Sequence, residues 1–183
     1  LLKIEKILDK LFINNHAVSI SPFYNIKHEY RVIMLKGECK LIYAKYLPIV
    51  VGDGKRTIRQ LLLEFNKEYF SKKLENNKYN KILEEQEEFE YNWKFNLSQG
   101  AIAKEIEDEI LKNKLLEMAK KVCKEINLNF GSVDIIQTDK DELMVLEVNS
   151  GVMIENYIKQ NIKGYDIAKD IYKEAVKLLF ENN

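Results

Sequence analysis

Two stretches decide the fold: Gly131-Ser132-Val133-Asp134-Ile135-Ile136 and Val145-Leu146-Glu147-Val148-Asn149. Each is an apolar or β-branched run. They predict strands over Val133–Thr138 and Leu143–Val148, joined by the polar turn Asp139-Lys140-Asp141-Glu142. Side chains alternate between the faces of a strand, so Glu147 and Asn149 point the same way. Pairing the two strands through that turn brings Asp134 close to Glu147. Two carboxylates and an amide oxygen among apolar neighbours repel and desolvate badly if left alone. A divalent cation would resolve the conflict, because Mg²⁺ in nucleotide sites takes a few hard oxygen ligands and keeps positions for phosphate and water. The spacing by itself equally admits a surface hairpin whose acids are simply solvated.

Working outward, Tyr30–Leu35 and Lys40–Tyr46 read as a second antiparallel hairpin across Lys36-Gly37-Glu38. Apolar residues at helical spacing predict helices over Leu1–Phe12, Asn113–Ile126 and Tyr165–Phe180. Thr57 is a suitable N-cap for a helix from Ile58 to about Phe70, after a break at Gly52-Asp53-Gly54. Ala17–Ile20 reads as a short strand ended by Pro22, with Phe23-Tyr24-Asn25 as a connecting turn or hinge. Ser71–Glu90 is dense in Lys, Glu and Asn and reads as a solvated, partly helical connector.

Composition narrows the class. The 183 residues are 46% hydrophobic and 32% charged, enough for one domain with a real core. Basic and acidic residues balance at 29 each, so no overall field draws the chain to nucleic acid or to an anionic membrane. No apolar run approaches the length of a membrane span. Cys39 and Cys123 lack a neighbouring Cys or His at metal-ligand spacing and read as reduced, buried thiols, which suggests a cytoplasmic protein.

The two opening stretches resemble the ATP-grasp superfamily, in particular the branch of cyanophycin synthetases, glutathione synthetases and the ligases that add glutamate to a ribosomal protein. The resemblance implies that Asp134, Glu147 and Asn149 hold two Mg²⁺ ions, with Mn²⁺ able to substitute, that bridge the phosphates of ATP. Glu29-Tyr30-Arg31-Val32 is similar to the family strand that follows the adenine hinge: Glu29 would accept from the ribose hydroxyls and Arg31 would face the phosphates. As residues alone, Glu29 and Arg31 also fit a surface ion pair. The hinge falls on Ser21, Pro22, Phe23 and Tyr24, and Lys45 falls where relatives place a phosphate-contacting base, although a solvent-facing lysine fits equally. Lys94 and Asn96 resemble a basic residue and an Asn near the γ-phosphate, while Asn96 is equally suited to capping a helix. Val50-Val51-Gly52-Asp53-Gly54 with Thr57-Ile58 resembles a cyanophycin-synthetase turn and speaks for kinship more than chemistry. The family's Pro-Gly after the Asn is replaced by Ser150-Gly151-Val152.

The resemblance implies an α+β fold: the C-terminal ATP-grasp subdomain, a mainly antiparallel sheet flanked by helices. Residues 1–24 would be a remnant of the preceding subdomain and hinge, and 25–183 the C-terminal subdomain with an insert at about 55–92. The implied activity is an ATP- and Mg²⁺-dependent carboxylate–amine or carboxylate–thiol ligase working through an acyl phosphate. Leu1–Asn15 supplies no Gly-rich loop, so the missing N-terminal part of the enzyme is an expected partner and the chain alone is expected to be inactive. The rival readings are an ATP-grasp-type kinase and a non-catalytic nucleotide- or partner-binding module.

Overall fold

The computed structural model describes residues 2–65, 70 and 76–180. Its centre is β1 (Ile26–Leu35), flanked by β2 (Glu38–Tyr46) and β6 (Phe130–Thr138). Beyond them lie β5 (Ile102–Lys104) and β7 (Leu143–Asn149), which gives the order β5-β2-β1-β6-β7 with every pairing antiparallel. Both anticipated hairpins are present. The first turns on two residues only, Lys36 (φ 47°) and Gly37 (φ 80°). Two consecutive positive φ values make a type I′ turn, whose twist matches that of the strands it joins, and glycine enters that region without strain.

Alternation along β1 sets the layers. Tyr30, Val32 and Met34 face α3 (Glu109–Glu125), burying against Leu115, Ala119 and Cys123. The helix starts four residues before the sequence suggests because Asp108 caps it, its carboxylate accepting from Ile110 N (2.9 Å) and Leu111 N (3.0 Å). Ile33 and Tyr43 face the other way, towards Tyr157 of α4 (Glu155–Ile158) and Ala168 and Ile171 of α5 (Gly164–Phe180). Helix, sheet and helix form an α+β unit. Of the two cysteines, Cys123 is buried as expected, whereas Cys39 is only half-buried.

A smaller unit branches from the end of β2. Here β3 (Ile49–Val51) pairs with β4 (Glu88–Glu90), and α2 (Ile58–Phe65) packs Ile58 and Leu62 against Phe70 and Leu83. Thr57 Oγ1 accepts from Gln60 N (3.2 Å) while Gln60 Oε1 accepts from Thr57 N (2.8 Å), a capping box that fixes the start of α2. Gly52 lies against Glu84, where a Cβ would stand 2.2 Å from the carbonyl oxygen.

Three expectations need correction or restriction. Residues 76–90 are largely exposed and partly helical, with a 3₁₀ turn over Asn77–Asn80, but they are more than a connector, since they also carry a bridge from Ile82 to Thr57 and strand β4. Leu83 and Phe89 anchor them to the small core, a signal submerged in charged neighbours; the first part of that stretch, 71–75, lies outside the described residues. The expected helix to Phe70 is seen to Phe65, and 66–69 also lie outside the description, while Phe70 is helical. Ala17–Ile20 forms no strand, because no ladder partner runs beside it among the described residues. The first helix, α1 (Leu2–Phe12), forms as expected and leaves Ile4, Ile7, Leu11 and Phe12 exposed. No helix among the described residues is long and apolar enough to cross a membrane.

Candidate functional site

The face of β1 that carries Ile33 also carries Glu29 and Arg31, and the strand registers decide what they meet. Arg31 lies opposite Asp134 on β6 and opposite Tyr43 on β2; Glu29 lies opposite Lys45 on β2. Four charged side chains therefore converge on one patch of the sheet. Arg31 grips Asp134 with both arms of its guanidinium, Nε to Oδ1 at 2.7 Å and a terminal nitrogen to Oδ2 at 2.6 Å. Lys45 Nζ donates to Glu29 Oε1 and lies 3.3 Å from Asp134 Oδ2. Asp134 is 1% exposed and Lys45 4%. The charges cancel in pairs across strands, and that cancellation lets them be buried at all.

Neither of the simple alternatives survives this geometry. Glu29 and Arg31 do not pair with each other along the strand, and Lys45 does not face solvent. Burial is the largest influence on Asp134 and pushes its carboxyl up, but Arg31 and Lys45 outweigh it and hold the group below the ordinary carboxylate range. For Glu29 burial prevails over Lys45, and its carboxyl is raised. Burial opposes the charge on Arg31, yet the Asp134 bond raises its pKa further. Tyr43, the buried register partner of Arg31 on β2, is pushed up to about 12 chiefly by burial, and it stacks on Tyr157 with ring centroids 4.8 Å apart.

On the far side of β6 the anticipated pairing is met: Asp134 is the register partner of Glu147, and Ser132 of Asn149. Asn149 Nδ2 donates to Glu147 Oε1 at 3.0 Å, and Glu147 is exposed. Gly131 lets β7 close in here, since a Cβ at that position would stand 2.7 Å from the Asn149 carbonyl oxygen.

A cleft of about 800 Å³ opens over this patch. It is lined by Pro22, Phe23, Tyr24, Glu29, Arg31, Lys45, Lys94, Asn96, Asp134, Glu147 and Asn149, so the residues singled out in the sequence meet in one place. Ser21 is the exception, since the wall begins at Pro22. Phe23, 90% exposed, and the half-exposed Tyr24 form an open rim. Asn96 caps the 3₁₀ turn Leu97–Gln99, with Oδ1 accepting from Ser98 N (3.0 Å) and Ser98 Oγ (2.8 Å), so the capping role is the one seen. Lys94 Nζ sits 5.5 Å above the Trp93 ring.

Sequence reasoning overlooked Trp93, Leu146, Met153 and Asn156, all of which line the cleft. Trp93 could have been found: it is the one tryptophan of the chain and stands beside Lys94. Met153 and Asn156 carried no signal, because only the return of the chain after β7 brings them to the cleft.

The oxygen donors suit a hard divalent cation. Asp134 and Glu147 offer carboxylates and Asn149 an amide at one end of the cleft, the ligand chemistry of Mg²⁺. With only two acids it is not an all-protein cage, and the described residues hold no cluster of three or more His, Cys, Asp or Glu fit for a metal. A cation here would complete its coordination with phosphate or water.

Comparison with known proteins agrees with this architecture. A family model described as the RimK-like ATP-grasp domain matches residues 81–174, just over half of the chain. The glutathione biosynthesis bifunctional protein GshAB of Streptococcus mutans is 38% identical over 64 residues, covering 35% of this chain and 8% of that protein. The crystal structure of a bifunctional glutathione synthetase from Pasteurella multocida superposes with a TM-score of 0.55 at 18% identity, covering 82% of this chain and 24% of the other. The chain thus spans less than a quarter of the length of either relative. With its α+β architecture and the matched residues 81–174, the chain belongs to the RimK-like ATP-grasp family.

Proposed function

We propose that this chain provides the metal- and phosphate-binding wall of an ATP-dependent carboxylate–amine or carboxylate–thiol ligase acting through an acyl phosphate. The observation that carries the reading is the convergence of Arg31, Lys45, Asp134, Glu147 and Asn149 on one cleft of an ATP-grasp sheet. That both named relatives are described by glutathione synthesis favours a ligase over a kinase.

In this reading Asp134, Glu147 and Asn149 would hold two Mg²⁺ ions, or Mn²⁺ in their place, and Glu147 would serve both. The bound ions would neutralise the phosphates and the charge that develops as the γ-phosphoryl group moves. Pro22, Phe23 and Tyr24, following Ser21, offer the adenine a partly aromatic rim. Glu29 accepts from the ribose hydroxyls, which requires it to give up part of its Lys45 bond. Arg31 and Lys94 face the transferring phosphoryl group and the acyl phosphate, with Lys45 behind them and Asn96 keeping the Lys94 segment in place through its cap. Because phosphoryl transfer asks little covalent chemistry of a protein, fixed charge and positioning supply most of the rate. An amine or thiol then displaces phosphate from the acyl phosphate. Residues 1–24 belong, in this reading, to the preceding subdomain and hinge, and 25–183 to the C-terminal subdomain of a cytoplasmic enzyme.

The test is ADP and phosphate release by the full-length enzyme that carries this chain, with ATP, Mg²⁺ and candidate carboxylate and amine or thiol substrates. Glu147→Ala is expected to abolish release, and retention of activity would sink the metal-ligand role. Free phosphate as product supports the ligase, whereas a stable phosphoester points to a kinase.

A further inference from the structure

We infer that Arg31 keeps the Asp134 carboxylate closed to a lone divalent cation, so that the cleft admits its metal together with a polyphosphate and not ahead of it. The inference rests on the metal site proposed above and adds the form in which the ligand enters.

Both oxygens of Asp134 are already engaged. Arg31 holds Oδ1 at 2.7 Å and Oδ2 at 2.6 Å, and Lys45 stands 3.3 Å from Oδ2. A free cation approaching this carboxylate meets two fixed positive charges and must compete for lone pairs that a planar bidentate donor occupies. The remaining ligands hold nothing strongly by themselves, since Glu147 is exposed and Asn149 is turned onto it at 3.0 Å. An incoming polyphosphate changes the balance. It offers Arg31 another anionic acceptor with two oxygens for its guanidinium fork, within the cleft that Arg31 already lines. Arg31 can then turn from carboxylate to phosphate while the cation takes the vacated oxygen, and no buried charge is left unpaired at any stage. Arg31 is in this sense a positioning residue for the metal as well as a ligand for the anion. Its mobility is consistent with its surroundings: its side chain keeps 21% exposure towards the cleft, whereas that of Asp134 keeps 1%.

The experiment is Mn²⁺ binding to the chain without nucleotide, followed by electron paramagnetic resonance, for the unaltered protein, Arg31→Met, Arg31→Lys and the double variant Arg31→Met/Asp134→Asn. Removing the guanidinium is expected to tighten Mn²⁺ binding by roughly tenfold or more, a typical scale for altering a group that contacts a metal ligand. The Lys variant, which keeps the charge but loses the fork, should fall between, and the double variant should return to weak binding. Arg31→Lys carries the test if Arg31→Met fails to fold. Equal affinity in the unaltered protein and the single variants overturns the inference, as does tightening that persists without Asp134. Should Mn²⁺ bind none of them while ADP release still depends on Glu147, the inference fails and the ligase reading stands. If the variants tighten as expected but the full-length enzyme releases no ADP under any condition, the ligase reading fails alone.

Discussion

Asp134 and Glu147 are both carboxylates and face each other as register partners across β6 and β7, yet their surroundings are opposite. Asp134 lies one strand in from the edge, walled by β1 and β7, and is 1% exposed under a guanidinium fork. Glu147 lies on the outermost strand, exposed, and holds only a neutral amide. One strand of displacement thus separates an anion that the fold itself must neutralise from one left open to a ligand. In this structure the interior member is taken up in the fold's own charge balance, and the edge member stands open to the cleft.

That contrast can be broken experimentally, beginning where the effect is largest. Asp134→Ala would leave Arg31 and Lys45 to share Glu29 in a buried patch, and stripping one partner from such a network costs about 3–5 kcal/mol. A denaturant or thermal melt measures it. The pH dependence of the same melt sharpens the point. Because the folded-state pKa of Asp134 lies below its ordinary value of 3.8, its contribution is complete above that pH and is lost as the pH falls through the lowered folded-state value. Glu29 works with the opposite sign: its raised pKa favours the fold below its ordinary value of 4.5, and the advantage is lost as the pH rises through the raised value. Asp134→Asn should therefore flatten the acid limb of the stability curve.

Next in size is the seam between interior and edge. Gly131→Ala would place a methyl group 2.7 Å from the Asn149 carbonyl and 2.8 Å from Leu128, forcing β7 outward at a cost of about 1–3 kcal/mol. It should also weaken Mn²⁺ binding in the presence of ATP, because Asn149 moves with the strand; a melt together with a metal titration at saturating ATP tests both. The smallest expected effect on stability belongs to Glu147→Ala, within about 0.5 kcal/mol as for other exposed positions. An equal loss of stability at Asp134 and Glu147 would erase the distinction between them.

Much of this was legible beforehand. The apolar runs over 133–138 and 143–148 and the four-residue polar link between them announced a hairpin that brings Asp134 close to Glu147, and the two are register partners. Lys36-Gly37 announced its turn through the one residue that takes positive φ freely. What failed to read was the segment 76–90, where two apolar anchors, Leu83 and Phe89, are diluted by lysine and glutamate. Asn96 illustrates an ambiguity that no spacing resolves, since the same side chain suits a cap and a ligand contact: it accepts from Ser98 N as a cap while also lining the cleft.

By itself, then, the sequence determined the two long hairpins, their turns and the face on which Glu147 and Asn149 would lie, because alternation and turn chemistry act between near neighbours. Which charges would touch was decided by the tertiary structure alone. Arg31 is 103 residues from Asp134 in the chain, and Lys45 is 16 from Glu29. Their partnership comes from two strand registers that meet at β1, and from a burial deep enough that each charge must find an opposite one or not be buried at all.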